Sequence, residues 1–432
     1  ILTQAAPELV HWLLKLGVKF NMSGYDDVDL RNFGGQKKKR TAFAQSDTGK
    51  QIMTAMIDAV RRKEASGMVE RFSHHSFLTL RLCGNICCGC VIRDEYSQET
   101  VELPGDAVIV ATGGMHGLFG NTTGSLSNTG EVTAELFRLG VPLANGEMIQ
   151  YHPTTVKCGG KRMLISEAAR GEGGRLFAMK DGKQWYFMEE KYPELGNLMP
   201  RDITAREIWK VSHESEVFLD MTEISEEIIS NKLSGLADDC MTYLHKDIRK
   251  EPVSVLPGIH YFMGGILVDE QHRTPIQNLY AAGECCAQYH GANRLGGNSL
   301  LGALYGGRVA AKSACEQADV VDLSCATQID FPPASQISEI KQLNKVMQET
   351  MGVVRNENTL LNGIQTVQAL TGNLPLLGMA VLKSALARKE SRGAHWREDY
   401  PKSNDDDYLK TTVARFDGKQ IQISFVPVPE RR

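Results

Sequence analysis

The sequence lacks both an excess of basic charge and a long apolar run. Its 432 residues carry a net charge of −4, which provides no general attraction to nucleic acid. The one basic run, residues 37–40, is interpreted as a solvated or substrate-facing loop. No apolar stretch reaches the roughly 20 residues that a membrane-spanning helix needs. We therefore expect a folded protein whose attachment to any membrane comes through partner subunits.

The ten cysteines do not have the spacing of a secreted disulfide framework, and no signal peptide is visible. We therefore expect reduced thiols in a cytoplasmic protein. The cluster of Cys83, Cys87, Cys88 and Cys90 matches no zinc or iron–sulfur spacing. Because these residues lie in a predicted hairpin, we expect them to pack in a core, and we predict no metal site.

A further absence concerns nucleotide binding. The sequence has no G-x-G-x-x-G turn, the motif that places a dinucleotide pyrophosphate at a helix N-terminus. It starts within an amphipathic helical pattern over residues 1–17, in which Ala5, Leu9 and Leu13 recur at helical spacing. We therefore expect the chain to begin inside a domain, and to hold a dinucleotide weakly without that turn.

Two apolar strands that end in glycine are the clearest elements present. Residues 107–111 precede Thr112-Gly113-Gly114, and residues 278–283 precede a glycine-rich segment. Such strands are typical of a parallel sheet that presents its carboxyl ends to a ligand. Further patterns predict helices over residues 47–63, 127–139 and 299–317, and a hairpin over residues 77–94.

The pattern changes in two other parts of the chain. Between residues 147 and 257 it loosens into turns, short strands and one long helical region, 224–247, which predicts an inserted domain. Residues 325–335, with two adjacent prolines, predict a linker. Residues 336–390 are strongly helical, and the charged tail contains one strand-like piece, 420–426.

The segment 290–301 is the first that indicates chemistry. Its glycines allow backbone N–H groups to approach a ligand, and Arg294 has the guanidinium fork that binds a carboxylate by two hydrogen bonds. Alone, it is equally compatible with a helix start and a surface arginine. Four other segments have similarly ordinary explanations when taken singly, namely an ion pair, a helix start or a core histidine: 150–154, 164–174, 200–206 and 260–266.

Taken together and in this order, the five segments resemble the succinate dehydrogenase and fumarate reductase flavoprotein family. The Arg-Leu-Gly-Gly-Asn-Ser form at 294–299 is nearer to that branch than to the related L-aspartate oxidases. Phe33-Gly34-Gly35, with Arg40, and the segments 391–395 and 399–401 are further matches, so the resemblance covers nearly the whole chain.

The resemblance implies an α/β fold of four parts. Residues 1–146 and 258–330 are expected to form a Rossmann-like FAD-binding domain without its N-terminal dinucleotide turn. Residues 147–257 are expected to form an inserted α+β capping domain. A C-terminal helical domain, 331–398, and a tail region, 399–432, complete this prediction.

The resemblance also implies roles for individual residues. Arg201 matches the arginine that exchanges a proton with the substrate carbon, and Glu167 and Arg170 match the relay behind it. The groups expected to hold two substrate carboxylates are His152, Ser166, His260 and Arg294. The positions expected to touch FAD are Ala111, Thr112, Gly113, Gly114, Glu131, Glu284, Asn298, Ser299 and Leu300. Ser166 stands where the family has threonine, and Glu131 where it has aspartate.

These roles imply an FAD-dependent oxidoreductase that interconverts succinate and fumarate by hydride transfer, with proton transfer through an arginine. The family exchanges electrons with an iron–sulfur partner subunit and, through it, a membrane anchor, which implies a cytoplasmic location at the inner face of the membrane. Three alternatives remain open: an L-aspartate oxidase, a stand-alone soluble fumarate reductase, and a non-catalytic truncated remnant.

Overall fold

The computed structural model describes residues 2–25, 27–36, 38–125, 127–320, 329, 331 and 336–428. The chain folds into two compact units. Unit 1 comprises Ile1–Arg71, Tyr151–Ile259 and Leu295–Leu301, and unit 2 comprises Phe72–Gln150, His260–Arg294 and Gly302–Arg432. The division into FAD-binding, capping, helical and tail regions stays a prediction.

The described residues form thirteen α-helices. In chain order they are α1 (Leu2–Leu16), α2 (Thr48–Ala65), α3 (Glu131–Arg138), α4 (Glu167–Gly171), α5 (Phe187–Lys191), α6 (Arg201–Val211), α7 (Glu226–Lys232), α8 (Ser234–Leu244), α9 (Asn298–Gln317), α10 (Ile337–Thr350), α11 (Glu357–Val367), α12 (Asn373–Ala387) and α13 (Asp405–Tyr408).

The same residues form nineteen strands. They are β1 (Leu30–Arg31), β2 (Thr41–Ala42), β3 (His75–Cys83), β4 (Ile86–Asp94), β5 (Thr100–Pro104), β6 (Val108–Val110), β7 (Leu143–Ala144), β8 (Ile149–Cys158), β9 (Lys161–Leu164), β10 (Arg175–Lys180), β11 (Lys183–Trp185), β12 (Val217–Asp220), β13 (Val253–Ser254), β14 (Leu256–Phe262), β15 (Gly265–Leu267), β16 (Leu279–Ala281), β17 (Cys286–Ala287), β18 (Lys410–Phe416) and β19 (Ile421–Pro427).

Unit 1 is built around an antiparallel sheet in the order β11-β10-β12-β13. Side chains alternate across β12, so Val217 and Leu219 face the core while their neighbours are only partly buried. Helices α6, α7 and α8 add Ile208, Ile229 and Leu236 to the same apolar cluster. This core carries α4 and α6, the two helices that hold the candidate catalytic residues.

Unit 2 contains the predicted parallel strands. β16 pairs with β6 in parallel, with Tyr280 opposite Ile109. A second sheet has the order β17-β15-β7-β18-β19, and the predicted hairpin forms as β3 and β4. Helices α10, α11 and α12 occupy the region predicted to be helical. The predicted linker, residues 325–335, lies largely outside the described residues.

Two predicted helices differ in the structure. The helix expected over residues 127–139 begins only at Glu131, because Gly130 before it has a φ of +85° and so leaves the helical region. The helical region expected over residues 224–247 is two helices, which separate at Leu233. Leu233 has a φ of −129°, and its side chain is fully buried in the unit 1 core, so packing overrides helical continuity there.

Most cysteines pack as expected. Among the residues that the structure describes, eight cysteines are free thiols, and burial raises the pKa of Cys87 to about 11. Cys83 forms a disulfide, so the expectation of reduced thiols is wrong for this residue. Across the described ranges, no set of three or more His, Cys, Asp or Glu side chains is arranged to hold a metal ion. The helices in those ranges are all too short or too polar to cross a bilayer.

A buried ion cluster connects the helical region of unit 2 to its sheet. Arg388, at the end of α12, donates from Nε to Glu147 Oε1 at 2.7 Å and from Nη1 to Glu390 Oε1 at 2.8 Å. Thr412 on β18 also donates to Glu147 Oε1. All of these side chains are essentially inaccessible to solvent, so each charge depends on its partners to offset the cost of desolvation.

We therefore predict that Arg388→Met lowers the stability of unit 2 by about 3–5 kcal/mol, because Glu147 stays buried without its cation and Glu390 keeps only Arg392. Arg249→Met is the matched control, since Arg249 pairs with Glu226 at the surface. The measurement is the midpoint of thermal unfolding. A clear decrease for the first variant and little change for the second are expected, and equal midpoints would contradict the prediction.

Candidate active site

In unit 1, one carboxylate is shared by two arginines. Glu167 Oε1 accepts a hydrogen bond from Arg170 Nη2 at 3.1 Å. Glu167 Oε2 accepts from Arg201 Nη2 at 2.7 Å and from Arg201 Nε at 3.1 Å. Glu167 and Arg170 are each 2% exposed and Arg201 is 7% exposed. The three side chains therefore form a buried cluster with two cations and one anion.

Local sequence explains how these three groups meet. Ser166 caps α4, and its hydroxyl accepts a hydrogen bond from the Ala168 N–H at 3.2 Å. Glu167 and Arg170 then lie three residues apart on one face of that helix. Pro200 directly precedes Arg201, the first residue of α6. A backbone N–H at this end of a helix has no intrahelical partner, so the missing N–H of proline costs no hydrogen bond. The contact between Glu167 and Arg201 joins α4 to α6, so it comes from tertiary packing.

The electrostatics of the cluster lower the pKa of Arg170. Burial lowers the pKa of Arg170 below its usual value; Glu167 opposes that decrease, and the positive charge of Arg201 adds to it. A guanidinium normally keeps its proton under all physiological conditions. Here, a second cation and the loss of solvent reduce the free energy difference between the charged and neutral forms.

Two glycines line the shared carboxylate. A Cβ at Gly34 would lie 2.5 Å from Glu167 Oε1 and 3.0 Å from the Met199 carbonyl oxygen. A Cβ at Gly296 would lie 2.5 Å from Glu167 Oε2. Any larger residue at either position would push on the carboxylate, so the absence of a side chain here is a packing requirement.

The segment that contains Gly34 is itself fixed from two sides. The Gly35 N–H donates to the Leu198 carbonyl at 2.8 Å, two residues before Pro200. Gln36 Nε2 donates to the Gly296 carbonyl at 3.2 Å. These contacts connect the segments before α6 and before α9 around Glu167.

His152, on β8, is fully buried in unit 1. The Thr154 N–H donates to its Nδ1 at 3.2 Å. The same Nδ1 lies 3.1 Å from the Thr154 carbonyl oxygen. The backbone of Thr154 therefore orients the ring through Nδ1.

In unit 2, Arg294 is held with little freedom. It is 3% exposed, and its guanidinium carbon lies 4.2 Å from the centre of the Tyr261 ring. Gln150 Nε2 donates to the Arg294 carbonyl at 2.7 Å. Burial and, to a smaller extent, the charge of Arg294 lower the pKa of nearby His290 to about 3. Arg294 therefore lies beside a neutral imidazole.

His260, on β14, pairs with a hydroxyl. Its Nδ1 lies 2.8 Å from Thr123 Oγ1. This contact orients the ring through Nδ1, one of its two hydrogen-bonding positions. Thr123 thus has the geometry of a positioning residue.

Glu284 follows the parallel strand β16. Its Oε1 accepts a hydrogen bond from the Phe262 N–H at 3.0 Å and lies 3.6 Å from His116 Nε2. His116 Nδ1 lies 2.9 Å from Thr122 Oγ1. A Cβ at Gly114 would lie 2.6 Å from Glu284 Oε1, so the two turns that follow β6 and β16 pack closely together.

The carboxyl ends of β6 and β16 fit a dinucleotide. Val110, at the end of β6, is buried, but Ala111 and Thr112 directly after it are exposed. In open α/β sheets, ligands bind outside the carboxyl ends of parallel strands. A carboxylate such as Glu284 suits the hydroxyl groups of a ribose or ribityl chain.

The remaining predicted cofactor positions lie elsewhere. Gly113 has a φ of +74° and packs against Asn128. Glu131 is exposed at the start of α3, in unit 2. Asn298 and Ser299 are partly exposed at the start of α9, next to the exposed Leu300, in unit 1.

The structure brings together Glu167, Arg170 and Arg201. His152 and Ser166 belong to the same unit, whereas His260, Arg294 and Glu284 belong to unit 2. Sequence reasoning gave no role to several residues that contact these groups: Gly34, Gly296, Gln150, Thr123 and His116. For Gly34 and Gly296, their position in glycine-rich motifs was a usable signal.

Comparisons with known proteins agree with this geometry. A family model described as FAD binding domain matches residues 1–300, and one described as Fumarate reductase flavoprotein C-term matches residues 370–431. The chain is 35% identical to the Bacillus subtilis succinate dehydrogenase flavoprotein subunit, over 99% of this chain and 84% of that protein.

The chain is also 31% identical to the 8-methylmenaquinol:fumarate reductase flavoprotein subunit of Wolinella succinogenes, over 99% of this chain and 78% of that protein. A solved structure of E. coli quinol fumarate reductase superposes with a TM-score of 0.88 at 26% identity, covering 99% of this chain and 83% of that one. This chain is therefore an FAD-dependent oxidoreductase that belongs to the succinate dehydrogenase and fumarate reductase flavoprotein family.

Proposed function

We propose that this protein interconverts succinate and fumarate, with Arg201 as the residue that exchanges a proton with the substrate carbon. The observation that carries the proposal is the buried Glu167 carboxylate between Arg170 and Arg201, with contacts of 2.7–3.1 Å. A scaffold protein gains nothing from two buried guanidinium groups around one anion, because each costs desolvation energy.

The proton route follows from these contacts. Reduction of fumarate adds a hydride to one carbon and a proton to the other. FAD, when bound, would supply or accept this hydride. Arg201 donates the proton, and Glu167, which accepts two hydrogen bonds from Arg201, replaces it. Arg170, with its pKa lowered by burial, continues the route beyond Glu167.

The two substrate carboxylates need donors or cations, since a buried dianion is otherwise costly. In the proposal, the groups that supply them are His152, Ser166, His260 and Arg294. The buried positions of His152 and Arg294 support this assignment. A fixed guanidinium is the best single group for a carboxylate.

The remaining roles rest on membership of the family. Ala111, Thr112, Gly113, Gly114, Glu131, Glu284, Asn298, Ser299 and Leu300 are proposed to contact FAD. Electrons are proposed to pass to or from an iron–sulfur partner subunit, and through it a membrane anchor. Co-purification of such a subunit with the natural protein tests this part; a protein that turns over alone with a soluble electron donor would favour a stand-alone fumarate reductase.

Arg201→Lys tests the catalytic role directly. Lysine keeps a positive charge but cannot keep the two-atom contact with Glu167, so we predict that fumarate reduction falls by about 100-fold or more. Malonate, an unreactive dicarboxylate, should still perturb the flavin spectrum of the FAD-loaded variant. Turnover near the wild-type rate would remove Arg201 from the mechanism, and oxidation of aspartate by oxygen in the wild type would indicate an L-aspartate oxidase.

Gly34→Ala tests whether the carboxylate must stay in place. The added Cβ would lie 2.5 Å from Glu167 Oε1, so Glu167 must move, and we predict a decrease in fumarate turnover on the order of 10- to 100-fold. Gly24→Ala is the matched control in the same unit, because no atom lies within 4 Å of its added Cβ. Equal rates for the two variants would mean that the position of Glu167 does not limit turnover.

Thr123→Val tests the orientation of His260. Valine has nearly the shape of threonine but lacks the hydroxyl 2.8 Å from His260 Nδ1. We predict a rise of about 10-fold in the KM for fumarate, the value of one lost hydrogen bond. Thr366→Val is the control, because that hydroxyl donates to a carbonyl of its own helix. An unchanged KM in Thr123→Val would show that His260 does not need this partner.

A further inference from the structure

We propose that Gly393 and its loop, residues 391–395, are a positioning element for Arg294 and so set the affinity for the dicarboxylate. The proposal rests on the role of Arg294 in the proposed function. All of the residues that carry it lie in unit 2, and Gly393 itself touches neither the substrate nor the cofactor in this account.

The loop 391–395 packs directly on the backbone that precedes Arg294. The Ala394 N–H donates to the Ala292 carbonyl at 2.9 Å. Gly393 has a φ of +56°, and a Cβ there would lie 2.3 Å from the Ala292 carbonyl oxygen and 3.0 Å from Asn293 Cβ. Glycine therefore meets two separate requirements: a left-handed backbone and a close approach of two backbones.

The opposite side of this segment is held as well. Gln150 Nε2 donates to the Arg294 carbonyl at 2.7 Å and to Asn293 Oδ1 at 3.2 Å. Ala292 and Ala394 pack in one apolar cluster with Tyr261, the residue whose ring lies against the Arg294 guanidinium. Loop 391–395, Gln150 and Tyr261 therefore fix Arg294 at its backbone and at its side chain.

Loop 391–395 is anchored by buried polar groups. His395 is fully buried, and its Nδ1 lies 2.9 Å from Arg355 Nη1. Because a guanidinium can only donate, Nδ1 is the acceptor, and Nε2–H donates to the Arg388 carbonyl at 3.2 Å. Burial holds the pKa of His395 well below its usual value, and the Arg355 charge adds to this. His395 is therefore neutral, and its two ring nitrogens link Arg355 to the Arg388 carbonyl.

The loop also joins the ion cluster of unit 2. Arg392 Nε donates to Glu390 Oε1 at 2.8 Å, and Glu390 is the partner of the buried Arg388. Within the loop, the Arg392 N–H donates to the His395 carbonyl at 2.8 Å. A loop with these contacts cannot move aside. A new side-chain atom at position 393 would therefore displace residues 292–294.

The expected kinetic effect differs from that of the proton relay. A guanidinium that binds a carboxylate acts equally on the bound substrate and the transition state, so its displacement weakens binding more than it slows the chemical step. We predict that Gly393→Ala raises the KM for fumarate and the Kd for malonate by about 10- to 100-fold, while kcat stays within about threefold of the wild type.

The experiment measures these three quantities in FAD-loaded protein. Gly84→Ala is the matched control in unit 2: its φ of +60° gives the same backbone strain, but nothing lies within 4 Å of the added Cβ. Gly393→Asn is a companion variant, because asparagine tolerates a left-handed backbone yet still adds a Cβ. A rise in KM and Kd for both Gly393 variants, with the control unchanged, supports the proposal.

Arg392→Met keeps the proposal testable if the Gly393 variants do not fold. It loosens the loop without adding an atom beside Ala292, at a side chain that is partly exposed. A rise of about threefold or more in both KM and malonate Kd is expected, with kcat retained. Unchanged KM and Kd in the variants that fold, or a loss of kcat with unchanged KM, would overturn the proposal. If the wild type fails to reduce fumarate, the proposed function fails instead.

Discussion

The shared carboxylate of Glu167 is the interaction on which the rest of the structure depends. Burying any of the three charges alone would cost several kcal/mol. Together, Glu167, Arg170 and Arg201 satisfy one another with contacts of 2.7–3.1 Å and keep one net positive charge out of solvent. Burial and the positive charge of Arg201 both lower the pKa of Arg170, which favours its loss of a proton. Ser166, which caps α4, and the two glycines beside the carboxylate serve to hold this arrangement.

In both units, glycine allows a close backbone contact that positions a charged group. In unit 1, Gly34 and Gly296 have no Cβ, so their backbone can lie directly beside the Glu167 carboxylate. In unit 2, Gly393 allows one loop to press on the segment that ends in Arg294. In both cases, a backbone without a side chain fixes a charged group more firmly than a flexible side chain could, because the backbone has few degrees of freedom. In unit 2, the buried ion pairs of Arg388 with Glu147 and Glu390 also hold loop 391–395 to the core, because Arg392 pairs with Glu390.

Local patterns made much of this predictable. The strands that end in glycine, the i, i+3 spacing of Glu167 and Arg170, and the family motifs are all visible within a few residues of sequence. The contacts of Gly34 with Glu167, Thr123 with His260 and Gln150 with Arg294 join residues far apart in the chain, so no periodicity reveals them. The break at Leu233 has a similar origin, since burial of one leucine in the unit 1 core outweighs helix propensity. The predicted roles of the individual site residues remain predictions.

The most direct test of the central claim is the turnover of Glu167→Gln. Glutamine keeps the size of the side chain and can still bond both arginines in part, but it cannot replace a proton on Arg201. We predict that the fumarate reduction rate falls by about 100-fold or more, while FAD content and malonate binding stay at wild-type levels. A rate within a few-fold of the wild type, with the same binding, would contradict the claim that this carboxylate carries the proton.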